Sequence, residues 1–187
     1  LTGTPKGGEK ISLAPADGNS VFAVTGNAMP SDQTTGNLYL KDPQPVISSA
    51  VLSADNRYVD VTFNTGVYGE NNGVSSVTPD DFNISLASNG GDTDTVTIGA
   101  VRKNTVTNSE DVNDILQGGE KTVRIFLNIL HKPSGVETVE INPKDEQSIY
   151  SWSGKAMAAS QSTGILTLNA YPRINSAQLA NDNSYID

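Results

Sequence analysis

Three features of this chain predict an all-β fold. Apolar and polar residues alternate with a period of two in seven short segments, the pattern of a strand with one face turned to a core. Between the segments lie clusters of Gly, Asn, Asp, Ser and Pro, the residues that turns demand. No segment carries the apolar spacing of a long amphipathic helix. Seven short strands separated by such turns predict an immunoglobulin-like antiparallel β-sandwich.

In chain order the segments are VISSAVLS from Val46, RYVDVTFN from Arg57, DFNISLAS from Asp81, VTIGAV from Val96, KTVRIFLNIL from Lys121, VETVEI from Val136 and GILTLN from Gly164. Alternation assigns their faces. Val59, Val61 and Phe63 share one side of their strand, while Tyr58, Asp60 and Thr62 share the other. The same parity groups Phe82, Ile84 and Leu86, and also Val123, Ile125, Leu127 and Ile129. The intervening stretches GENNGVSS, ASNGGDTD and KNTVTNSEDVND read as loops. In TPDDF, Pro79 fixes the backbone of a turn whose Asp80 and Asp81 bond to nearby amides.

The chain also repeats itself. Residues 1–40 align without gaps on 129–168, with 14 identities in 40 positions, among them Glu9/Glu137, Asp17/Asp145, Met29/Met157, Gln33/Gln161 and Thr35/Thr163. One residue later in phase, 45–60 matches 172–187 at 9 of 16 positions, including Ile47/Ile174, Leu52/Leu179, Asp55/Asp182 and Asn56/Asn183. These offsets of 128 and 127 divide the 187 residues into three parts. Residues 1–44 are the C-terminal part of one unit, 45–171 one complete unit, and 172–187 the first strands of a further one. Such a cut predicts a window on a longer tandem array continuing in both directions, because stacked units each bury a core of this size.

Composition narrows the function. The net charge is −9 with 12 Lys and Arg against 21 Asp and Glu, which argues against nucleic acid or an anionic membrane surface as partner. No run of about 18 apolar residues is present, and the N-terminus LTGTPKGGEK lacks a signal pattern. Cysteine is absent, so disulfides, thiolate chemistry and cysteine-bound metals do not arise.

The stretch PVISSAVLSADNRYVDVTFNTGVY from Pro45, together with VTPDDFNISLASNGG, GGEKTVRIFLNI, PSGVETVEINP and SIYSWSGKAMAASQSTG, resembles the long tandem repeats of giant bacterial surface proteins. It is most similar to the repeat family named after the swimming-motility protein SwmB, and more distantly to bacterial Ig-like domains with a Gly-Asn turn before the last strand. Gly26-Asn27-Ala28-Met29 keeps that turn, whereas Lys155 replaces the Asn in the second copy. The resemblance implies a bacterial, secreted or cell-surface protein whose repeats serve as stalk, spacer, coat or fibre in adhesion or motility. It implies no catalysis.

The residues agree with a non-enzyme. The only histidine, His131, lies in a turn and has Gly3 as its counterpart, the pattern of a solvated side chain. No GxSxG elbow is present. No cofactor is required, and the candidate ligand is calcium. The turn at Asp55 and Asn56, the strand at Glu137, and a linker residue, Asp42 or Asn169, are expected to meet at a unit junction, with Asp182 the repeat partner of Asp55. The competing reading is that Asp55 and Asn56 cap their own turn, Asp60 is solvated, and Glu137 pairs with a Lys or Arg; no DxDxDG motif is present. Trp152, with Tyr150 nearby, offers a stacking surface for a glycan, against burial of Tyr150 at the position of Phe22. A carbohydrate-binding or accessory module of a secreted enzyme is thus the alternative function. The expected partners are neighbouring units of the same chain, and a second chain joined laterally or through shared strands.

Overall fold

The computed structural model describes residues 5, 9–112, 114–172, 174 and 176–181. Among them the only helical element is a single 3-10 turn at Pro79–Asp81, and no helix is long and apolar enough to cross a membrane. The strands are β1 (Lys10–Ile11), β2 (Leu38–Tyr39), β3 (Ile47–Leu52), β4 (Tyr58–Val67), β5 (Phe82–Ala87), β6 (Thr95–Lys103), β7 (Glu120–Leu130), β8 (Thr138–Pro143) and β9 (Leu166–Thr167). Elements β3 to β9 coincide with the seven alternating segments. β4 runs past its expected end, through Asn64 to Val67.

All strand pairs are antiparallel. One sheet has the order β3-β4-β7-β6, a second β5-β8-β9, and β1 pairs with β2 apart from both. A single apolar cluster joins the two larger sheets: Val59, Val61 and Phe63 of β4 with Val123 and Ile125 of β7 on one side, and Val139 and Ile141 of β8 on the other. Each of these is buried, as the alternation requires. Ile149, Met157 and Leu168 complete the core from the segments that follow β8.

The outer face of the four-stranded sheet departs from expectation at Asp60. Its neighbour across the β4–β7 ladder is Arg124, whose guanidinium holds the carboxylate through two bonds of 2.8 Å. Arg124 is buried, donates to the Val106 carbonyl at 2.6 Å, and lies 3.6 Å from the Tyr58 ring centroid. Asp60 is therefore one arm of a covered ion pair. The reason is the loop after β6, which brings Val106 onto Ala100, Phe126 and Tyr58 as a second apolar cluster and covers Arg124 on this face.

Local hydrogen bonds recur 128 residues apart. The Met29 amide donates to Val21 as Met157 does to Ile149, both at 2.8 Å. The Leu40 amide reaches the Glu9 carbonyl as Leu168 reaches Glu137. Leu13 and Thr35 exchange the same pair of bonds as Ile141 and Thr163, and Asp17 accepts from Asn19 and Ser20 as Asp145 does from Gln147 and Ser148. Lys10↔Tyr39 in β1–β2 corresponds to Thr138↔Thr167 in β8–β9.

Candidate functional site

The residues singled out from the sequence lie at the two ends of the 45–171 segment, and one end is a docking seam. The chain entering β3 passes through Asp42 and Gln44, against the turn at Ser151–Ala156. The buried Asp42 carboxylate accepts from the Ser151 hydroxyl at 3.1 Å, the Ser153 hydroxyl at 2.5 Å and the Ser153 amide at 3.3 Å. Lys155 donates its ammonium to the Asp42 carbonyl at 2.7 Å. Gln44 reaches across to the Ala156 carbonyl, also at 2.7 Å. Beside these bonds the Trp152 and Tyr39 rings stack, with centroids 5.7 Å apart.

The backbone explains why this turn can receive the linker. Tyr150 and Tyr68 exchange two amide bonds of 2.8 Å, which ties the turn to the end of β4. Gly154 has φ +79°, and a Cβ there would stand 2.5 Å from the Asn71 carbonyl, so only glycine lets the turn close against the 69–76 loop. Half-buried Tyr150 thus holds the turn in place. The Trp152 ring, offered by the sequence as a glycan surface, is engaged by Tyr39 and by Gly73, whose added Cβ would meet it at 3.1 Å.

At the far end Asn56 adopts φ +60° and turns its amide outward from its own turn. Its Oδ1 accepts from the Asn169 amide and its Nδ2 donates to the Asn169 carbonyl, both at 2.8 Å. Asp55 does cap the turn, taking the Ser53 hydroxyl at 2.7 Å and the Arg57 amide at 3.2 Å. The Tyr171 hydroxyl closes the seam on the Asp55 carbonyl.

Glu137 stands apart from both expected readings. Its side chain is buried, and its partners are the backbone rather than a Lys or Arg. It accepts from the amides of Asp92 (2.7 Å), Thr93 (3.1 Å), Ser134 (2.9 Å), Gly135 (3.0 Å) and Val136 (3.2 Å), and from the Ser134 hydroxyl at 3.1 Å. Burial alone would push this carboxyl up, but the amides of Ser134 and Thr93 and the Ser134 hydroxyl outweigh it and hold the group well below the usual glutamate range. Gly91 is part of the arrangement, because a Cβ there would sit 2.2 Å from Glu137 Oε1.

The expected calcium set is brought together only in part, Asn56 meeting Asn169 beside Asp55. Asp42 lies at the β3 entrance beside Ser151, whereas Asp55, Asn56 and Asn169 lie at the exit of β3. Chain direction imposes this, since β3 separates Asp42 from Asp55. Glu137 already spends its lone pairs on N–H and O–H donors, which a cation would have to displace. Asp182 lies outside the described residues. Among the described residues no group of three or more His, Asp or Glu side chains is placed to hold a metal.

His131 sits at φ +66° with Nδ1 3.3 Å from the Asp94 carboxylate, both side chains being more than half exposed. Sequence reasoning missed Tyr39 and Lys155. The signal available was that both differ between the copies, Tyr39 from Thr167 and Lys155 from Asn27, as Trp152 differs from Val24. Comparison with protein families, curated proteins and solved structures returns no match to this chain.

Proposed function

We propose that this chain is a non-catalytic segment of a tandem array of immunoglobulin-like sandwiches in an extracellular bacterial surface protein, where it sets spacing and stiffness as stalk or fibre. The observation that carries the reading is the recurrence of the same hydrogen bonds 128 residues apart, joined by a linker whose carboxylate is buried in the following body. The order β3-β4-β7-β6 over β5-β8-β9 also follows the A-B-E-D over C-F-G order of constant-type immunoglobulin domains. A linker seated in this way transmits orientation from one unit to the next, which a flexible tether does not.

The reading is tested by stretching single molecules of the protein that carries this chain. Rupture of one unit after another releases a constant length, on the order of 400 Å for about 127 residues, and antibody to the chain labels intact cells. Irregular rupture lengths, or labelling only after lysis, would overturn it. The alternative, a carbohydrate-binding module, is weakened by the Tyr39 ring stacked on Trp152. A glycan array that retains the chain through Trp152 would restore it.

A further inference from the structure

We infer that the Asp42–Pro43 peptide bond is a self-cleavage site, at which the Asp42 carboxylate attacks its own carbonyl carbon while the Lys155 ammonium stabilises the oxygen of that carbonyl.

Asp42 and Pro43 form the only Asp-Pro bond in the chain. Such a bond carries its own nucleophile. Closure of the side chain onto the carbonyl carbon of the same residue gives a five-membered cyclic anhydride, and an attack of this kind needs no encounter with a second molecule. The leaving group is a proline nitrogen, which carries no N–H in the chain. In an exposed chain the reaction is slow, because water solvates the carboxylate and nothing fixed polarises the carbonyl.

The seam removes both obstacles. Asp42 is 1% exposed. Its three donors, the Ser151 hydroxyl and the Ser153 hydroxyl and amide, all lie on Oδ1, and Oδ2 is buried without a hydrogen-bond partner. An oxygen left in that state costs the fold stability, and it is also the better nucleophile. Lys155 does not relieve the cost. Its ammonium bonds instead to the Asp42 carbonyl oxygen at 2.7 Å, where negative charge develops once the carbon is attacked. Neither feature belongs to the repeat, since Ala170 stands at the position of Asp42 and Asn27 at that of Lys155.

The reaction balances without a further reagent except water. Oδ2 bonds to the Asp42 carbonyl carbon, and the C=O pair moves onto the oxygen beside Lys155. That pair returns, the C–N bond breaks, and the Pro43 nitrogen leaves with its electrons and takes a proton from water. A water molecule then opens the anhydride, leaving a free carboxyl at Asp42 and a secondary amine at Pro43. The event occurs once per chain and acts on no other substrate. It rests on the seam and not on the tandem-array reading, to which it adds a point of scission between residues 1–42 and the sandwich that follows.

The experiment is mass spectrometry of the purified 187-residue chain, kept in neutral buffer with protease inhibitors over several days. Fragments 1–42 and 43–187 are expected. Asp42→Ala abolishes them. Lys155→Met slows their appearance about 100-fold, and Lys155→Arg restores most of the rate. Pro43→Ala, which leaves both seam partners in place, slows it through the poorer leaving group. Emission of Trp152, stacked on Tyr39, reports whether the seam stays closed in each variant, and Pro43→Ala carries the test should Lys155→Met open it. An unchanged mass with a new N-terminus at Pro43 supports the inference as well, because it marks the same anhydride taken up by the Lys155 amine in place of water. A wild-type chain whose Asp42–Pro43 bond stays intact overturns the inference. So do fragments that form as fast in urea as in the folded chain, and fragments whose rate Pro43→Ala leaves unchanged.

Discussion

The Trp152 indole lies on the Tyr39 ring at 5.7 Å between centroids, 25° from parallel, although 113 positions separate the two residues. Tyr39 carries Lys10 on its ring at 5.3 Å, so a cation and two aromatic faces meet where residues 9–40 abut the sandwich. Trp152 is the only tryptophan, which makes its emission a direct report on this contact. Tyr39→Ala should shift that emission to the red and weaken the contact by about 1 kcal/mol. The unfolding midpoint of residues 45–171 should stay unchanged. An unshifted spectrum would show that the rings do not meet in solution.

Lys155 makes a second prediction at the same seam. Its ammonium donates to the Asp42 carbonyl at 2.7 Å, and the corresponding residue 128 positions earlier is Asn27. Lys155→Asn therefore exchanges one copy's residue for the other's without disturbing the turn. The expected result is faster proteolysis between Leu40 and Pro45, with the melting temperature of the sandwich moved by no more than about 2 °C. Asp42→Ala should act more strongly, because it takes the acceptor from the buried Ser151 hydroxyl and from the Ser153 hydroxyl and amide together. Equal cleavage of all three proteins would remove the linker contact from the account.

Glu137 ties the 88–93 loop to the 133–136 turn by accepting donors from both. Glu137→Gln keeps the shape but replaces one acceptor oxygen with an NH2 that faces amide donors. A loss of about 3 kcal/mol in chemical denaturation is expected. Gly91→Ala attacks the same contact from the opposite side, since its Cβ would fall 2.2 Å from Oε1, and should cost a comparable amount. If the glutamine protein is as stable as the wild type, the carboxylate is not held as the geometry shows.

The same carboxylate sets the acid limit. Its folded pKa is held below its unfolded value, so its stabilisation is fully present above the unfolded value of about 4.3. It declines as pH falls below that value towards the folded pKa, because the unfolded chain then binds the proton first. Unfolding free energy should therefore drop steeply below about pH 4 in the wild type. In Glu137→Gln this component of the slope should vanish, and a parallel fall in both proteins would locate the acid sensitivity elsewhere.

Strand positions were legible from alternation because one apolar face in two is enough to place β3 to β9. The parity that put Val59, Val61 and Phe63 inward could not reveal that Asp60 is covered, since this depends on a loop from 104–119 whose own sequence has no period. Glu137 was legible as a strand carboxylate expected at a unit junction. Its partners were not, because backbone amides at Asp92, Thr93 and Gly135 leave no mark in a sequence. The seam at Asp42 was misread for a related reason. A carboxylate and a Ser-Trp-Ser-Gly-Lys turn carry no local sign that they meet across more than 100 residues.

Calcium offers the last prediction. A divalent ion needs several converging oxygens with free lone pairs, and the described carboxylates expected to supply them are dispersed, with Asp42 Oδ2 the one left buried without a hydrogen-bond partner. Asp42 is held by Ser151 and Ser153 at one end, and Asp55 by Ser53 and the Arg57 amide at the other. Glu137 is enclosed by donors. Binding to the folded chain at 100 times Kd would add about 2.7 kcal/mol, a shift of several degrees for a domain of this size. The melting temperature in millimolar calcium should instead match that in excess chelator to within about 1 °C. A rise of several degrees that disappears in both Asp55→Ala and Glu137→Ala would show that these side chains rearrange to admit an ion, and that the amide-filled state of Glu137 is only one of two.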